Sequence, residues 1–309
     1  MKITLVLSRR RLSPGRRGSL PVFLLGLCLC LTFLFPRLGM AAGANADASP
    51  PAGPGAVAPT AAGKDGGMKL DGEYLRGYLY DTGKILGSPL RWEGRDWLTA
   101  SFVVAASVGL YAYDQDIKEW FQDKRNSTTN DLAKVFTPIG NPLFAVPAMG
   151  LVYLYGEHRE SEKAKRIGLL GVESIVLSGA FTGALKFATH RPRPDTGERY
   201  NKWEASRFFS TDNISFPSLH TSTAFSMAKV LAAEADNPYV TPVVYALASL
   251  VGLARLNDND HWASDAFVGA AIGYFTAAAV LRCHQRQLPV AILPSVSRDG
   301  GGVLLAYRY

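Results

Sequence analysis

Three short stretches of this chain carry residue types able to do chemistry on a phosphate group. The first is Lys186-Phe187-Ala188-Thr189-His190-Arg191-Pro192-Arg193-Pro194, at a helix end that proline enforces. The second is Pro217-Ser218-Leu219-His220-Thr221, where a serine precedes an Ala-rich run. The third is Arg255-Leu256-Asn257-Asp258-Asn259-Asp260-His261-Trp262-Ala263-Ser264-Asp265. Lys186, Arg191 and Arg193 gather cations at one joint, and Arg255 can supply another. Arginine's planar fork suits phosphate oxygens, and lysine adds a compact charge. Ser218 stands where a helix begins, so its hydroxyl and the following N–H groups can hold an anion at the positive helix end. His261 and Asp265 are four apart. On a helix they share a face, and the carboxylate can fix the imidazole tautomer. An imidazole so oriented is a nucleophile or base, and His220 is a second one, available as proton donor.

Each stretch alone has a plainer explanation. A Lys-Arg joint beside a helix is often a solvated boundary or a topology signal. A Ser-x-His after proline is more often a helix cap, and a His-x3-Asp pair is commonly a surface hydrogen bond and occasionally a metal pair. Their joint order and spacing resemble the signature of the type 2 phosphatidic acid phosphatase and vanadium haloperoxidase superfamily. That signature reads Lys-x6-Arg-Pro, then Pro-Ser-Gly-His, then Ser-Arg-x5-His-x3-Asp. Lys186, Arg193 and Pro194 match its first part, Pro217, Ser218 and His220 its second, and Arg255, His261 and Asp265 its third. Arg193, not Arg191, is therefore the signature arginine.

The resemblance implies an all-α bundle of about six core helices and a metal-independent phosphatase without a cofactor. By that likeness His261 attacks phosphorus to form a phosphohistidine, and Asp265 orients it. His220 protonates the leaving oxygen and later activates water. Lys186, Arg193, Ser218, Arg255 and the Leu219 N–H hold the phosphoryl oxygens. The implied substrates are lipid phosphate monoesters or pyrophosphates of the phosphatidate, phosphatidylglycerophosphate, prenyl pyrophosphate or lipid A type. A soluble periplasmic acid phosphatase, a vanadium-dependent haloperoxidase and a non-catalytic phosphate-binding protein are the alternatives. There are two departures. Leu219 stands where the family has glycine, so a glycine-only backbone angle there would be strained. Ala254 stands where the family has serine, so one supporting hydroxyl is lost.

Apolar runs of helical length must position these residues. They fall near 97–113, 142–155, 167–188, 219–235, 240–256 and 262–282, without strand-type alternation. Tyr74 to Leu86 is amphipathic at best. Val290 to Val296 and Val303 to Tyr309 flank Asp299-Gly300-Gly301-Gly302, which reads as a short β-hairpin or an apolar tail packed on the bundle. The expected domain is 68–288, followed by a tail at 289–309. Ahead of it, residues 44–67 are nearly all Ala, Gly and Pro and read as a tether.

Residues 1–43 read as an export signal. Lys2, Arg9, Arg10, Arg11, Arg16, Arg17 and Arg37 surround an apolar core from Pro21 to Phe35, and small residues follow. The 309-residue chain has a formal charge of +7 from 33 basic and 26 acidic residues. Those seven amino-terminal cations account for the whole excess, so a polyanion surface is not implied and no nucleic-acid partner is expected. With 48% hydrophobic and 19% charged residues, the chain is not disordered throughout. Cys28 and Cys30 lie in the signal, which leaves Cys283 alone and no internal disulfide.

The stretches 167–185 and 263–281 approach the length of a membrane span, with basic residues Arg159, Lys163, Lys165 and Arg166 beside the first and Arg282 and Arg286 beside the second. The expectation is therefore a bundle in the bacterial inner membrane with its site facing the periplasm, soluble periplasm being the alternative. A conflict of parity accompanies it. An exported amino terminus followed by spans at 97–113, 142–155 and 167–185 would put Lys186 in the cytoplasm. Either 97–113 does not cross, or the chain does not span.

Overall fold

In the computed structural model, residues 68–203 and 214–284 are described, together with the backbone of 290–297 and 300–307. The expected signal at 1–43 and tether at 44–67 lie outside the described residues, as does part of the tail.

Helix boundaries follow capping chemistry. Helix α1 (Gly72–Leu86) begins where the Asp71 carboxylate accepts the Tyr74 N–H at 2.8 Å. Helix α2 (Gly94–Lys124) starts with a reciprocal capping box between Glu93 and Asp96, and α3 (Ser127–Phe136) is capped by Asn126. A 3-10 turn, Thr137–Gly140, leads into α4 (Pro142–His158), where Asn141 is the cap and Pro142 takes the first helical position. Helix α5 (Glu162–Thr189) follows Ser161 and stops at His190, which adopts a left-handed φ of 43° ahead of Pro192. Helices α6 (Leu219–Ala233), α7 (Val240–Asn257) and α8 (Ala263–Cys283) complete the bundle.

The helices expected from apolar runs all form. Helix α2 is much longer than the expected 97–113 and α3 was not anticipated, because Asp114, Asp116, Lys118 and Glu119 interrupt the apolar run while leaving the backbone helical. The tail forms an antiparallel hairpin of β1 (Val290–Ser297) and β2 (Gly300–Tyr307), with Val290 opposite Tyr307.

Helices α6 and α8 pack face to face at the centre. Ala224, Phe225 and Ala228 meet Ala270, Ala271 and Tyr274, all buried. The approach is close because Gly269 and Gly273 face backbone: a Cβ at either would overlap the carbonyl of Ser218 or Ser222. Between α5 and α6 runs a buried polar seam, with Ser178 Oγ 2.8 Å from Ser226 Oγ and Thr182 Oγ1 donating to Ser222 Oγ at 3.2 Å.

Large apolar side chains cover the outside instead. Trp97, Leu98, Phe102 and Val108 on α2, and Leu143 and Leu151 on α4, are exposed. Helices α5, α7 and α8 are each long and apolar enough to cross a membrane, and α3 with α4 qualifies as a pair bent by 57°. Apolar outside as well as within, the domain has the surface of a membrane-embedded helical bundle.

The chain's course bears on the parity conflict. Helix α2 ends beside α7, where Gln122 donates to the Leu256 and Asn257 carbonyls at 3.3 Å. Helix α4 returns to the far end, and α5 comes back. There, at the far end, Arg166 binds Glu234 at 3.0 Å and the His284 carbonyl at 3.2 Å. Helix α1 sits at this far end, where Asp81 meets His284 at 3.0 Å. Residues 72–86 and the start of α6 therefore lie at opposite ends of the bundle.

The Gly273 contact generates a test by sign. Gly273→Ala should lower the melting temperature of the detergent-purified protein by several degrees, about 1–3 kcal/mol of overpacking. Gly150→Ala, where a Cβ meets nothing within 4 Å, should hold or raise it. Equal behaviour of the two variants would show that the α6–α8 approach is not close-packed.

Candidate active site

The three stretches converge at the end where α5 and α7 stop and α6 and α8 begin. Lys186, in the last turn of α5, donates from Nζ to the carbonyls of Ile214 and Ser215, both at 3.1 Å. The segment after α5 is pinned by Ser215 N–H to Arg191 O at 2.7 Å, Trp262 Nε1 to Pro192 O at 3.0 Å, and Lys118 Nζ to Pro194 O at 2.6 Å. Arg193 Nη1 reaches Asp260 Oδ1 at 3.2 Å. Arg255, in the last turn of α7, pairs through Nη2 with the same Asp260 carboxylate, and through Nη1 with Asp258 and Thr137, both at 3.2 Å. Asp260 thus holds the two signature guanidinium groups side by side.

Ser218 is the cap of α6. Its Oγ accepts from Thr221 Oγ1 at 3.0 Å, and its own N–H donates to Asp265 O at 3.0 Å. Leu219 is the first residue of α6 and is not among the residues with positive φ, so the strain expected for a side chain there is absent. Its side chain lies toward Gly179 of α5, where an added Cβ would stand 3.7 Å from Leu219 Cδ1, at ordinary contact distance. Ala254 is buried in α7 and carries no hydroxyl to this site.

His220 lies in the first turn of α6. Burial, then the charges of Arg255, Lys186 and Arg193, push it down to about 4. The same cations that would hold a phosphate therefore face this imidazole. His261 is buried. Its burial, opposed by Asp265 and reinforced by Lys186 and Arg255, pushes it down to about 3, so at neutral pH the ring is uncharged and nucleophilic.

The pairing of His261 with Asp265 differs from the expected helix face. His261 precedes α8, and Asp265 is the third residue of that helix, reaching back so that Oδ2 accepts the Trp262 N–H at 2.9 Å. The distance from His261 Nδ1 to Asp265 Oδ2 is 3.8 Å, too long for a hydrogen bond. Ser215 Oγ fills the gap, 3.3 Å from Nδ1 and hydrogen-bonded to Asp265 Oδ2. With Nδ1 turned toward Ser215 and Asp265, Nε2 is the nitrogen left for a substrate.

Behind Asp265 stands a group that sequence reasoning named only as a cation. Arg191 is fully buried. Its Nη1 donates to Asp265 Oδ1 at 2.6 Å and Ser264 Oγ at 2.8 Å, and its Nη2 to Asp114 Oδ2 at 2.7 Å and Tyr200 O at 2.8 Å. Tyr111, Trp203 and Trp262 surround the guanidinium at 5.0–5.2 Å. Asp114 Oδ1 also accepts the Ser264 N–H at 2.9 Å. Asp114, Ser215 and Ser264 carried no signal among the motifs. The local trace of Asp114 is a carboxylate at the end of an apolar helical run.

Residues 168–289 match the family model of the PAP2 superfamily, and the motif residues from Lys186 to Asp265 all lie within them. Over that stretch the chain is similar to the PAP2 superfamily. A lipid A 1-phosphatase of Porphyromonas gingivalis is 29% identical over 175 residues, covering 55% of this chain and 35% of that protein. Lipid phosphate phosphatase 1 of Arabidopsis thaliana is 26% identical over 223 residues, covering 60% of this chain and 66% of that protein. The chain thus spans about a third of the length of one curated relative and just under two thirds of the other. Among solved structures, Aquifex aeolicus LpxE aligns with a TM-score of 0.42 and 22% identity, over 55% of this chain and 94% of that one. A transmembrane PAP2-type phosphatidylglycerolphosphate phosphatase from Bacillus subtilis aligns at 0.43 and 18%, over 58% and 92%.

In this domain Arg191 and Arg193, two residues apart, have opposite surroundings, and stability should register the difference. Arg191→Met leaves Asp114 and Asp265 as unpaired buried carboxylates and should cost about 3–5 kcal/mol in thermal unfolding. Arg193→Met, at a side chain 37% exposed, should cost under about 1 kcal/mol. Adding Asp114→Asn to Arg191→Met should recover part of the loss. Equal melting temperatures for the two single variants would remove Arg191 from its structural role.

Proposed function

We propose that this domain is a phosphatase of lipid phosphate monoesters or pyrophosphates that works through a phosphohistidine. The observation that carries this reading is an uncharged imidazole held from behind by Ser215 and Asp265, beside a second imidazole ringed by Lys186, Arg193 and Arg255. In this mechanism His261 Nε2 attacks phosphorus as the ester oxygen leaves with a proton from His220. The new P–N bond holds the phosphoryl group until water, deprotonated by His220, breaks it and releases inorganic phosphate. Lys186, Arg193 and Arg255 hold the non-bridging oxygens, with Ser218 Oγ and the Leu219 N–H at the positive end of α6. Asp265, Ser215 and Arg191 position the nucleophile. A lipid substrate is supported by the apolar belt around the bundle and by the lipid phosphatases among its relatives.

The proton inventory sets the pH profile. With His220 near 4 in the free protein and the second phosphate proton near ~6, the single proton the step needs resides on the substrate between those values. We expect kcat/KM to be flat between them, to fall above about pH 6 as substrate loses that proton, and to fall below about pH 4 as His220 gains one. His261→Ala should lower turnover by a factor on the order of 10⁴ and abolish acid-labile, base-stable labelling from a ³²P-substrate. A rate rising through pH 8, or labelling unchanged in His261→Ala, would refute the mechanism.

For orientation, the basic residues Arg159, Lys163, Lys165, Arg166 and Arg282 at the far end favour a spanning bundle with a periplasmic site. A second reading is favoured by a different observation. Helix α1 lies at that same far end, so an exported segment at 44–86 fits a periplasmic site only if the whole bundle is periplasmic and does not span. Cysteines introduced at Thr196 and at Glu160 should decide. Labelling of intact cells at Thr196 alone supports the spanning bundle, and labelling at both positions supports the second. Labelling at Glu160 alone overturns the periplasmic site in both.

A further inference from the structure

A second cluster of ligand-type side chains lies at the far end of the bundle, where nothing in the phosphatase reading uses it. Asp81 of α1, Glu173 of α5 and His284, just past α8, point donor atoms into one space, all within 4.8 Å of one another. His284 Nε2 is 3.0 Å from Asp81 Oδ2 and 3.1 Å from Glu173 Oε2. Neither contact has hydrogen-bond geometry: Nε2 has no hydrogen-bond partner, and neither does Glu173 Oε1. Both groups are more than nine-tenths buried, Glu173 completely. Two carboxylates share this buried space with a single imidazole, and the polar atoms left without hydrogen bonds add desolvation cost.

We propose that Asp81, Glu173 and His284 form a binding site for a divalent transition-metal ion of the Zn²⁺ type. One imidazole nitrogen and two carboxylate oxygens suit a borderline ion, and its double charge balances the two acids. Ligands bound at ~2.0–2.1 Å in a tetrahedron stand about 3.3 Å apart, close to the spacings found between His284 and each acid. Tyr74 supplies the outer support, donating from its hydroxyl to Glu173 Oε2 at 2.8 Å. The ion takes no part in phosphate chemistry, because Glu173 lies thirteen residues along α5 from Lys186, about 20 Å at ~1.5 Å per residue. Its role is to fasten α1 to α5 and α8, which otherwise hold that short helix by a small apolar cluster around Tyr74.

The test uses the untagged full chain in detergent, stripped with chelator, desalted and loaded with Co²⁺ or Zn²⁺ alone. The expected result is about one ion per chain by elemental analysis, with visible ligand-field absorption for Co²⁺ in a low-coordinate site. Glu173→Gln and His284→Gln should each weaken binding by about tenfold or more. A His220→Ala, His261→Ala double variant should bind as the wild type does, which separates this site from the phosphate site. Absence of stoichiometric ion and of the cobalt spectrum in the wild type would overturn the proposal. So would binding that survives both ligand variants, or that is lost with the two active-site histidines. Asp81→Asn serves if Glu173→Gln does not fold, and the wild-type spectrum stands on its own.

Discussion

Everything at the site hangs on one buried cation. Arg191 has no solvent exposure, and it is tolerable there only because Asp114 from α2 and Asp265 from α8 both face it, with a carbonyl and three aromatic rings filling its other sides. Removing any member exposes a bare charge to an apolar interior, so the arrangement is all or none. It therefore locks three parts of the chain: a helix that begins far from the site, the segment after α5, and the start of α8. Asp265 then spends its second oxygen on Ser215 and the Trp262 backbone, and through Ser215 it sets the His261 ring.

The front of the site has the opposite balance. Lys186, Arg193 and Arg255 face two imidazoles, and Asp258 and Asp260 only partly offset them. Burial, reinforced by those cations, pushes both imidazoles below their ordinary range. In the proposed mechanism a bound phosphoryl group would offset that field at His220 and favour its protonated form where the leaving oxygen needs a proton. On that proposal, attraction of substrate and readiness of the acid are one electrostatic effect.

The bundle around this site carries large apolar side chains on its outside as well as in its core. Serine and threonine line the contact between α5 and α6, glycine lets α8 approach α6, and the large apolar side chains of α2 and α4 turn outward. Where lipid surrounds a protein, apolar burial gives little drive for helix association, and close backbone packing with interhelical hydrogen bonds takes its place. The apolar exterior and the charged site at one end are two consequences of the same construction.

The sequence alone determined the candidate site residues and the helices that carry them. Lys186, Arg193, Ser218, His220, Arg255, His261 and Asp265 are recognisable by type and spacing because each sits at a helix end, and helix ends are written locally in proline, caps and apolar run length. Tertiary structure decided what no local rule encodes. Asp114 belongs to the site only because α2 ends beside α7 and α8. Ser215, not a shared helix face, joins His261 to Asp265, because α8 begins after the histidine and its third residue folds back as a cap. Leu219 is unstrained because it begins α6 without a positive φ. Asp81, Glu173 and His284 meet only once α1, α5 and the end of α8 are packed together. Local spacing reports on backbone geometry within a few turns, whereas the pairing of buried charges is settled only when distant segments share one interior.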